Sequence, residues 1–566
     1  MEDKSFKPRF CAFTAINAVI RLLPERHNTR SLMKGMIIFM IKITDLKIPL
    51  DYDLKFLMFI AAERLGIDSG CIKRIDILKR AVNNKDIANI FFDMDISVCV
   101  SSDENEVLSF CGSKFISKQA VATYKIPYKK LNERPVVVGF GPAGMFAALI
   151  LAEAGCKPII IERGSDVDAR TEKVELFWRT GVLDTQTNVQ FGEGGAGAFS
   201  DGKLKTGFKN ERKIKIIDEL IDSGAPPEIK YLTKPHIGTD KLKSVVKNIR
   251  EKIIGLGGEV HFNTELKSLI IKNGRVQGVR VSRNDKCHEF LTDNVVLAIG
   301  HSARDTLESL QKDGVVLEQK PFAVGVRIEH KQTLINRIKY GDFACHPALG
   351  AADYRMVVHL KNGRGVYTFC MCPGGTVVAA ASEKDRLTTN GMSEYARDGR
   401  NANTALLVTV NNHDLGSDKP LAGLEYQRRI EEAAFVAGGG AYKAPVQRLE
   451  DFLIKRNTRA FGDVVPTYMP GTSFAETDSY LPEHITESLR QAIAEMGEWM
   501  PGFYNPDAIL TGAETRSSSP VRITRGDSLE ATGIKGLYPC GEGAGYAGGI
   551  ISAAADGILC AERILS

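Results

Sequence analysis

The chain has 566 residues, of which 43% are apolar and 25% charged, a balance that excludes a disordered or fibrous protein and fits about two to four globular domains. Its net charge of +5 lies almost wholly in residues 1–35, where seven cationic side chains oppose three acidic ones, so a globally basic nucleic-acid-binding protein is excluded. The eleven cysteines form no CxxC motif, and no apolar run reaches the ~20 residues of a membrane span, which predicts a soluble protein of the reducing cytoplasm.

Two regions precede any nucleotide-binding motif. Residues 1–35 lack a strong period and are predicted to be a disordered extension. Residues 36–128 are predicted to form a small α+β domain, because strand-like runs surround a helical run from Leu54 that Gly66 can terminate. The order of these elements resembles a ferredoxin-like fold, which suits either a docking role or the binding of a partner.

Cationic side chains in and after this small domain leave RNA binding open as an alternative function. On one face they could hold a phosphate backbone, although a solvated surface explains the same residues. They are Lys73, Arg74, Lys79, Arg80, Lys85, Lys129 and Lys130.

A dinucleotide-binding turn opens the third region. The segment PVVVGFGPAG predicts a buried strand, a turn at Gly139, Gly141 and Gly144, and then a helix. Gly139 permits the tight turn, Gly141 lets backbone amides approach a phosphate, and Gly144 lets the helix pack on the sheet. The helix N-terminus favours a pyrophosphate, and Glu162, after the next strand, is expected to accept hydrogen bonds from an adenosine ribose. Pro142, Ala143 and Arg163 are assigned to the same site.

The remainder of the chain predicts one large insertion in the nucleotide domain. Thr239 is expected to cap a helix over residues 240–255, followed by strands in GEVHFNTEL and NVVLAIG. Residues 313–507 show mixed strands and helices, and the last 60 residues return to a glycine-rich strand-to-helix pattern. We therefore predict a Rossmann-like α/β domain made of residues 129–312 and 508–566, interrupted by an α+β substrate or cap domain at 313–507.

Cys370 and Cys372 are redox candidates within the insertion. Alternate residues of a strand share a face, so the two sulfurs could be neighbours and relay electrons. A redox-active Cys-x4-Cys pair near the first glycine motif is absent, since that region contains only Cys156. Buried packing is the favoured interpretation of the CxC pair.

The segment ETRSSSPVRITRG contributes the candidates for substrate binding. It is interpreted as a loop that carries Glu514, Arg516, Ser518, Ser519 and Arg522. An arginine there could bind an anionic substrate through two parallel hydrogen bonds, or it could form an ion pair with Glu514, and the sequence leaves both open.

The C-terminal segment GLYPCGEGAGYAGGIISAAADGILCAERI indicates which dinucleotide binds. A strand that ends at Tyr538–Cys540 meets Gly541–Glu542, and Gly548, Gly549 and Ile550 open a last helix. Glu542 could bind a ribityl hydroxyl, and the helix N-terminus could stabilise charge at the N1/O2 edge of a flavin. A domain that binds only NAD needs no second, distant site, so the sequence predicts non-covalent FAD.

With these motifs in place, the sequence resembles the flavoproteins of the glutathione-reductase-like FAD fold. More closely it resembles a bacterial family of uncharacterised FAD-dependent dehydrogenases, over residues 40–566. The motifs that carry the resemblance include GFGPAGMFAA, NVQFGEGGAGAFSDGKL, KPHIGTDKL, VVLAIGHSARD, GVYTFCMCPGG and ETRSSSPVRI. The resemblance implies FAD binding and redox activity, and it supplies no substrate.

The resemblance also implies further site residues. Gly192, Gly194, Gly195 and Ala196 are expected beside the cofactor, with Lys203 near the flavin oxygens. Gly300 and Leu266 correspond to positions that pass the adenosine. Lys203, Arg516, Ser518 and Ser519 are thus the catalytic candidates.

Other cofactors are weakly indicated. His236, His301, His330 and His346 stand alone without metal-ligand spacing, so no metal is predicted, and His301 after Gly300 is the best functional candidate among them. The glycine run AGGGAYKAP follows a helical pattern and lacks GxGxxG, so no dedicated NAD(P)H domain is predicted, although NAD(P)H remains open as a transient donor.

The sequence therefore favours an FAD-dependent oxidoreductase that transfers a hydride between FAD and a small, anionic substrate. An RNA-associated or RNA-modifying flavoprotein and a non-catalytic FAD-binding protein are the alternatives. The sequence indicates neither the substrate nor the oligomeric state.

Overall fold

The computed structural model describes residues 40–111, 113–119, 123–204 and 210–566. The predicted extension at 1–35 and the start of the predicted strand at 36 lie outside these residues. None of the described helices combines the length and the apolar run that crossing a bilayer requires.

The first unit is a four-stranded antiparallel sheet with two helices. Its elements are β1 (Met40–Ile48), α1 (Leu54–Leu65), β2 (Ile72–Asn83), β3 (Phe91–Val100), α2 (Glu104–Phe110) and β4 (Ile116–Gln119). The strand order is β2-β3-β1-β4. Asp53 caps α1 by accepting a hydrogen bond from the amide of Phe56, and Gly66 ends it at φ 66°, as predicted.

The second stretch of the chain contains the glycine turn and most of a parallel sheet. Its elements are β5 (Val136–Val138), α3 (Pro142–Glu153), β6 (Ile159–Ile161), α4 (Val167–Thr180), α5 (Glu211–Asp222), α6 (Thr239–Gly255), β7 (Glu259–His261), β8 (Thr264–Lys272), β9 (Arg275–Arg283), β10 (Lys286–Leu291), β11 (Val295–Leu297) and α7 (Arg304–Lys312). The predicted cap of α6 is wrong by one residue: Gly238 is the capping residue, and the Thr239 hydroxyl donates instead to the carbonyl of Ala198.

The remaining elements form a second large sheet and return to the first. They are β12 (Leu317–Gln319), β13 (Phe322–Lys331), α8 (Gln332–Tyr340), β14 (Val357–His359), β15 (Gly365–Cys372), β16 (Thr376–Ala379), β17 (Thr389–Met392), β18 (Asn401–Val410), α9 (Ala422–Ala437), β19 (Ala444–Arg448), α10 (Leu449–Leu453), β20 (Thr472–Phe474), α11 (Glu483–Trp499), β21 (Ile509–Glu514), β22 (Val521–Ile523), β23 (Leu537–Pro539) and α12 (Ile550–Ile564).

Two sheets determine where the site lies. The parallel sheet has the order β23-β11-β5-β6-β7, so the C-terminal β23 pairs with β11 in the middle of the chain. Its central strands β5, β6 and β11 are fully apolar, as expected for strands covered on both faces. The seven-stranded sheet has the order β14-β15-β18-β13-β21-β19-β20. β21 lies after the predicted boundary at 507/508 and pairs with β13 and β19; the domain boundaries remain predictions.

Candidate functional site

The glycine turn is held by contacts within the protein at two of its three positions. Gly139 has φ 96°, and a Cβ atom there would overlap the carbonyl of Ala298. A Cβ atom at Gly144 would overlap the carbonyl oxygen of Gly139. Gly141 differs, because its φ is −79° and an added Cβ would meet its nearest neighbour, the Cα of Gly195, at an ordinary 3.5 Å. The protein itself therefore does not require glycine at 141.

Glu162 organises the walls around this turn. Its buried carboxylate accepts hydrogen bonds from the backbone amides of Phe140 at 2.8 Å, Gly164 at 2.9 Å and Gly192 at 2.9 Å. A carboxylate has about four acceptor positions, so at least one remains for a ligand. The predicted contact with a ribose remains a prediction, and the structure adds a role for Glu162 in holding the turn.

A cavity of about 850 Å³ opens at the glycine turn. Most of the predicted cofactor-binding residues line it, although they come from distant parts of the chain. These are Gly139, Gly141, Pro142, Ala143, Glu162, Arg163, Gly192, Gly195, Ala196, Leu266, Gly300, Glu542, Gly548, Gly549 and Ile550. Their role in binding a cofactor remains a prediction, and the structure places these residues around a single cavity.

Three predicted residues shape the walls without lining the cavity. Gly144 lies under the turn, and the amide of Gly194 donates to the carbonyl of Phe140 at 2.9 Å. Gly541, at φ 76°, donates its amide to the carboxylate of Asp556 at 2.7 Å. These positions support the lining residues from behind.

Two helices begin at this cavity without a side-chain cap. α3 starts after Gly141 and α12 starts after Gly549, and neither capping residue offers a side-chain acceptor to the first amides. Cβ atoms at Gly300, Gly548 and Gly549 would meet no atom within 4 Å. Uncapped helix N-termini attract anions, and ligand cavities usually measure ~300–1,000 Å³. The residues present therefore fit a dinucleotide such as FAD.

His301 and Glu542 form a polar pair in the cavity wall. His301 Nδ1 lies 3.4 Å from Glu542 Oε1, and His301 Nε2 is buried with no hydrogen-bond partner among the described residues. Buried polar atoms are usually paired, so an unpaired one beside a cavity favours a ligand there. The other three histidines that the sequence offered as candidates have partners within the protein: Tyr395 for His236, Phe503 for His330 and Asp51 for His346.

The predicted role of Arg516 needs correction. It lines the cavity, but it is buried and its Nη2 lies 2.9 Å from Glu431 Oε2, while its Nη1 donates to Ser382. The pair with Glu514 is not made, because Glu514 ends β21 and binds Arg327 at 2.5 Å. Glu431 also binds Arg304 at 2.7 Å. Burial lowers the pKa of Arg516, and its charge is compensated inside the protein.

The two predicted serines do not line the cavity. Ser519 is buried and donates to the carbonyl of Val521 at 2.7 Å, while Ser517 takes the lining position. Arg522 lies on β22 and binds Glu318 at 3.2 Å. Among the catalytic candidates the structure thus brings Lys203 and Arg516 to the cavity and leaves Ser518 and Ser519 outside it.

Lys203 belongs to a charge cluster that the sequence did not reveal. Its Nζ donates to Asp201 at 2.8 Å and to the carbonyl of Met371. Asp201 also accepts from Arg397 at 2.9 Å. Burial alone would raise the pKa of Asp201, but the charges of Lys203 and Arg397 lower it to about 2. Burial likewise opposes the charge on Lys203, yet Asp201 raises its pKa.

The two cysteines of the CxC motif lie in different environments. The pairing of β15 with β18 shifts between Phe369 and Cys372, and Cys370 adopts φ 45°. Cys370 is consequently exposed where it lines the cavity, whereas Cys372 is buried. The expected shared face is therefore wrong, because simple alternation fails at a strand irregularity. The exposed surface of Cys370 faces a cavity enclosed by protein, and desolvation by the surrounding protein raises the pKa of its thiol to about 11.

Behind Gly541 lies a cluster that sequence reasoning missed. The ligand atoms of Cys540, Asp556 and Cys560 lie within 4.8 Å of one another. Arg525 already supplies a positive charge there, with Nη2 2.7 Å from Asp556 and Nη1 3.8 Å from the Cys560 sulfur. A guanidinium in this position repels a metal cation.

The cationic residues of the N-terminal unit are partly engaged. Arg74 binds Asp76 at 2.8 Å. Arg80 lies over the rings of Phe92 and Tyr231, each at 5.3 Å from the ring centroid. These contacts remove two cations from the surface proposed for RNA.

Comparisons with known proteins indicate the family to which the chain is similar. A family model described as the C-terminal domain of FAD-dependent proteins matches residues 321–517. A protein of Clostridium beijerinckii, described only as uncharacterized, is 50% identical over 530 residues, which are 93% of this chain and 98% of that protein.

Solved structures are similar to the chain only at a low level. A 3-ketosteroid-Δ4-(5α)-dehydrogenase from Rhodococcus jostii is 14% identical, with a TM-score of 0.33 over 77% of this chain and 97% of that one. The FrdA chain of E. coli quinol fumarate reductase is 12% identical, with a TM-score of 0.33 over 76% of this chain and 70% of that one. These values are too low to establish a shared function.

Proposed function

The chain belongs to a family of FAD-dependent proteins, and we propose that it is an oxidoreductase whose flavin and small substrate share the cavity between α3 and α12. FAD supplies the hydride chemistry when bound. The observation that carries the proposal is the meeting of two uncapped helix N-termini at one cavity.

Each wall of the cavity has a separate task in this proposal. The first amides of α3 bind the pyrophosphate, and Glu162 holds the glycine turn while it accepts a ribose hydroxyl. The amides of α12 stabilise negative charge on the flavin edge. Lys203 Nζ, kept protonated by Asp201, donates hydrogen bonds into the cavity.

The finer architecture follows the same proposal. We interpret the nucleotide domain as the glutathione-reductase type and residues 313–507 as a cap that completes the substrate pocket. The N-terminal unit has the strand order of a split βαβ arrangement, which supports the ferredoxin-like interpretation. NAD(P)H is retained as a transient electron donor, and RNA binding is not proposed.

The experiment is anaerobic reduction of the purified holoprotein, followed by exposure to fractionated metabolites. We expect a flavin absorption spectrum and at least one fraction that changes the flavin redox state faster than oxygen or buffer does. A protein that binds no flavin would overturn the proposal. A bound flavin that responds to no fraction would favour the non-catalytic alternative.

A further inference from the structure

One set of charged residues in the cavity lining carries more positive than negative charge. Lys203 and Arg397 share the single carboxylate of Asp201. Lys234 pairs with Asp353, two residues before Arg355. The charged group in the cavity lining consists of the cations Lys203, Lys234, Arg355 and Arg397 and the carboxylates Asp201 and Asp353. Two cations therefore lack a matching carboxylate within this group.

Arg355 is the clearest uncompensated charge in this group. It is exposed, it lines the cavity, and it has no hydrogen-bond or ion-pair partner among the described residues. Its neighbours on the chain are anchored, because Asp353 binds Lys234 and Tyr354 is buried against Phe503 with ring centroids 5.8 Å apart. Because its neighbours fix the backbone and its guanidinium has no partner among the described residues, Arg355 can bind a ligand without breaking an ion pair within the protein.

The cavity also has an apolar wall, which adjoins Arg355 because the carbonyl of the next residue, Met356, accepts a hydrogen bond from the amide of Thr368. Tyr354, Tyr367, Phe369 and Met371 all line it, and Tyr367 and Phe369 pack edge to face at 6.4 Å. A ligand that reaches Arg355 therefore has aromatic and thioether surface beside it. Charge at one point and apolar surface around it suit an organic anion better than an inorganic one.

Building on the proposed function, we propose that Arg355, together with Lys203 and Arg397 of the same cavity lining, forms an oxyanion subsite that binds the carboxylate or phosphate of a partly apolar substrate. This replaces Arg516, whose charge Glu431 compensates. The planar guanidinium of Arg355 binds two oxygens in parallel, which gives the substrate a defined orientation as well as affinity.

Three small aromatic probes test the subsite in the holoprotein at low ionic strength. Benzoate and phenyl phosphate carry an oxyanion, and benzamide is the neutral analogue. Binding is followed by perturbation of the flavin absorption spectrum and by calorimetry on protein depleted of FAD. We expect both anions to bind at least tenfold more tightly than benzamide, and the tighter anion identifies the substrate group.

Three variants test the assignment to Arg355. Arg355→Ala should weaken binding of the preferred anion at least tenfold and leave benzamide binding and FAD content unchanged. Arg355→Lys should give an intermediate loss of binding, because lysine keeps the positive charge but lacks the planar guanidinium that binds two oxygens at once. Arg459→Ala is the matched control, since Arg459 is also exposed and without a partner among the described residues but lies outside the cavity lining.

Two results would overturn the subsite: equal binding of anions and benzamide to the wild type, or equal losses in the Arg355→Ala and Arg459→Ala proteins. Failure of the proposed function has a different signature, namely protein without flavin. The calorimetric comparison of benzoate with benzamide remains valid in that case.

Discussion

Arg516 Nη2 and Glu431 Oε2 lie 2.9 Å apart, and both side chains are buried. The arginine that the sequence offered for substrate binding is thus part of an internal ionic cluster. Glu431 is shared with Arg304, and these two arginines hold its pKa well below the usual range against the opposing effect of burial.

The cluster predicts unequal effects of two substitutions. Glu431→Gln removes the fully buried anion that two buried guanidinium groups share and leaves them only the less buried Glu383, and we expect a loss of ~3–5 kcal/mol in the free energy of unfolding. Arg516→Ala leaves Glu431 bound to Arg304, so its loss should be smaller and its FAD content unchanged. Urea denaturation of both variants checks this. A larger loss for Arg516→Ala would contradict the shared role of Glu431.

The glycine turn predicts a separation of folding from cofactor binding. Gly141→Ala should fold normally, because the protein leaves room for the added methyl group. The same methyl group would occupy the space in which a phosphate approaches the backbone amides, so we expect the variant to bind FAD much more weakly. Gly144→Ala should destabilise the fold itself, since its methyl meets the Gly139 carbonyl. Flavin content and thermal unfolding measured on both variants distinguish the two effects. Full flavin content in the Gly141→Ala protein would refute the proposed location of the pyrophosphate.

The two cysteines of the CxC motif should differ in chemical reactivity. N-ethylmaleimide should modify Cys370 and spare Cys372 in the folded protein, because only Cys370 is exposed. Because desolvation by the surrounding protein raises the pKa of the Cys370 thiol to about 11, its rate of modification should rise roughly tenfold per pH unit from pH 7 to about pH 10 as the thiolate forms. Peptide mass spectrometry measures both rates, with the exposed Cys287 as the internal control for reagent access. Equal labelling of Cys370 and Cys372 would contradict the strand irregularity.

Asp201 predicts a pH-dependent part of the stability. Its pKa is about 2 in the folded protein and ~3.9 in the unfolded chain, so its contribution of ~2–3 kcal/mol is present above pH ~4 and is lost as the pH falls toward 2. The difference in unfolding free energy between wild type and Asp201→Asn should therefore shrink on acidification. Urea titrations from pH 6 to pH 3 measure it, with the exposed Asp527 replaced by Asn as the control. A difference that stays constant would show that Asp201 acts without its charge.

The sequence predicted the parts of the site that depend on local backbone geometry. Gly139 needs a positive φ at the turn, and Gly144 needs the close approach of the Gly139 carbonyl within the same strand, turn and helix, so the motif predicted where the cavity lies. The same holds for Gly66 at the end of α1.

Partners that are distant in sequence could not be predicted in this way. Glu431 lies 85 residues before Arg516, and Arg397 reaches Asp201 across 196 residues. Cys370 faces the cavity because of a shifted strand register, which simple alternation cannot reveal. Arg355 belongs to no sequence motif. It is a candidate for ligand binding only because it lines the cavity and has no hydrogen-bond or ion-pair partner among the described residues.

The pairing of β23 with β11 has a consequence for biosynthesis. Residues 537–539 complete the parallel sheet beside residues 295–297, and α12 packs on α3 from the far end of the chain. A nascent chain that has exposed only the first glycine turn therefore lacks most of the walls that would retain the cofactor, including those from residues 540–553. Loading of the flavin must wait until translation is almost finished, and the earlier part of the sheet meanwhile carries an open edge at β11.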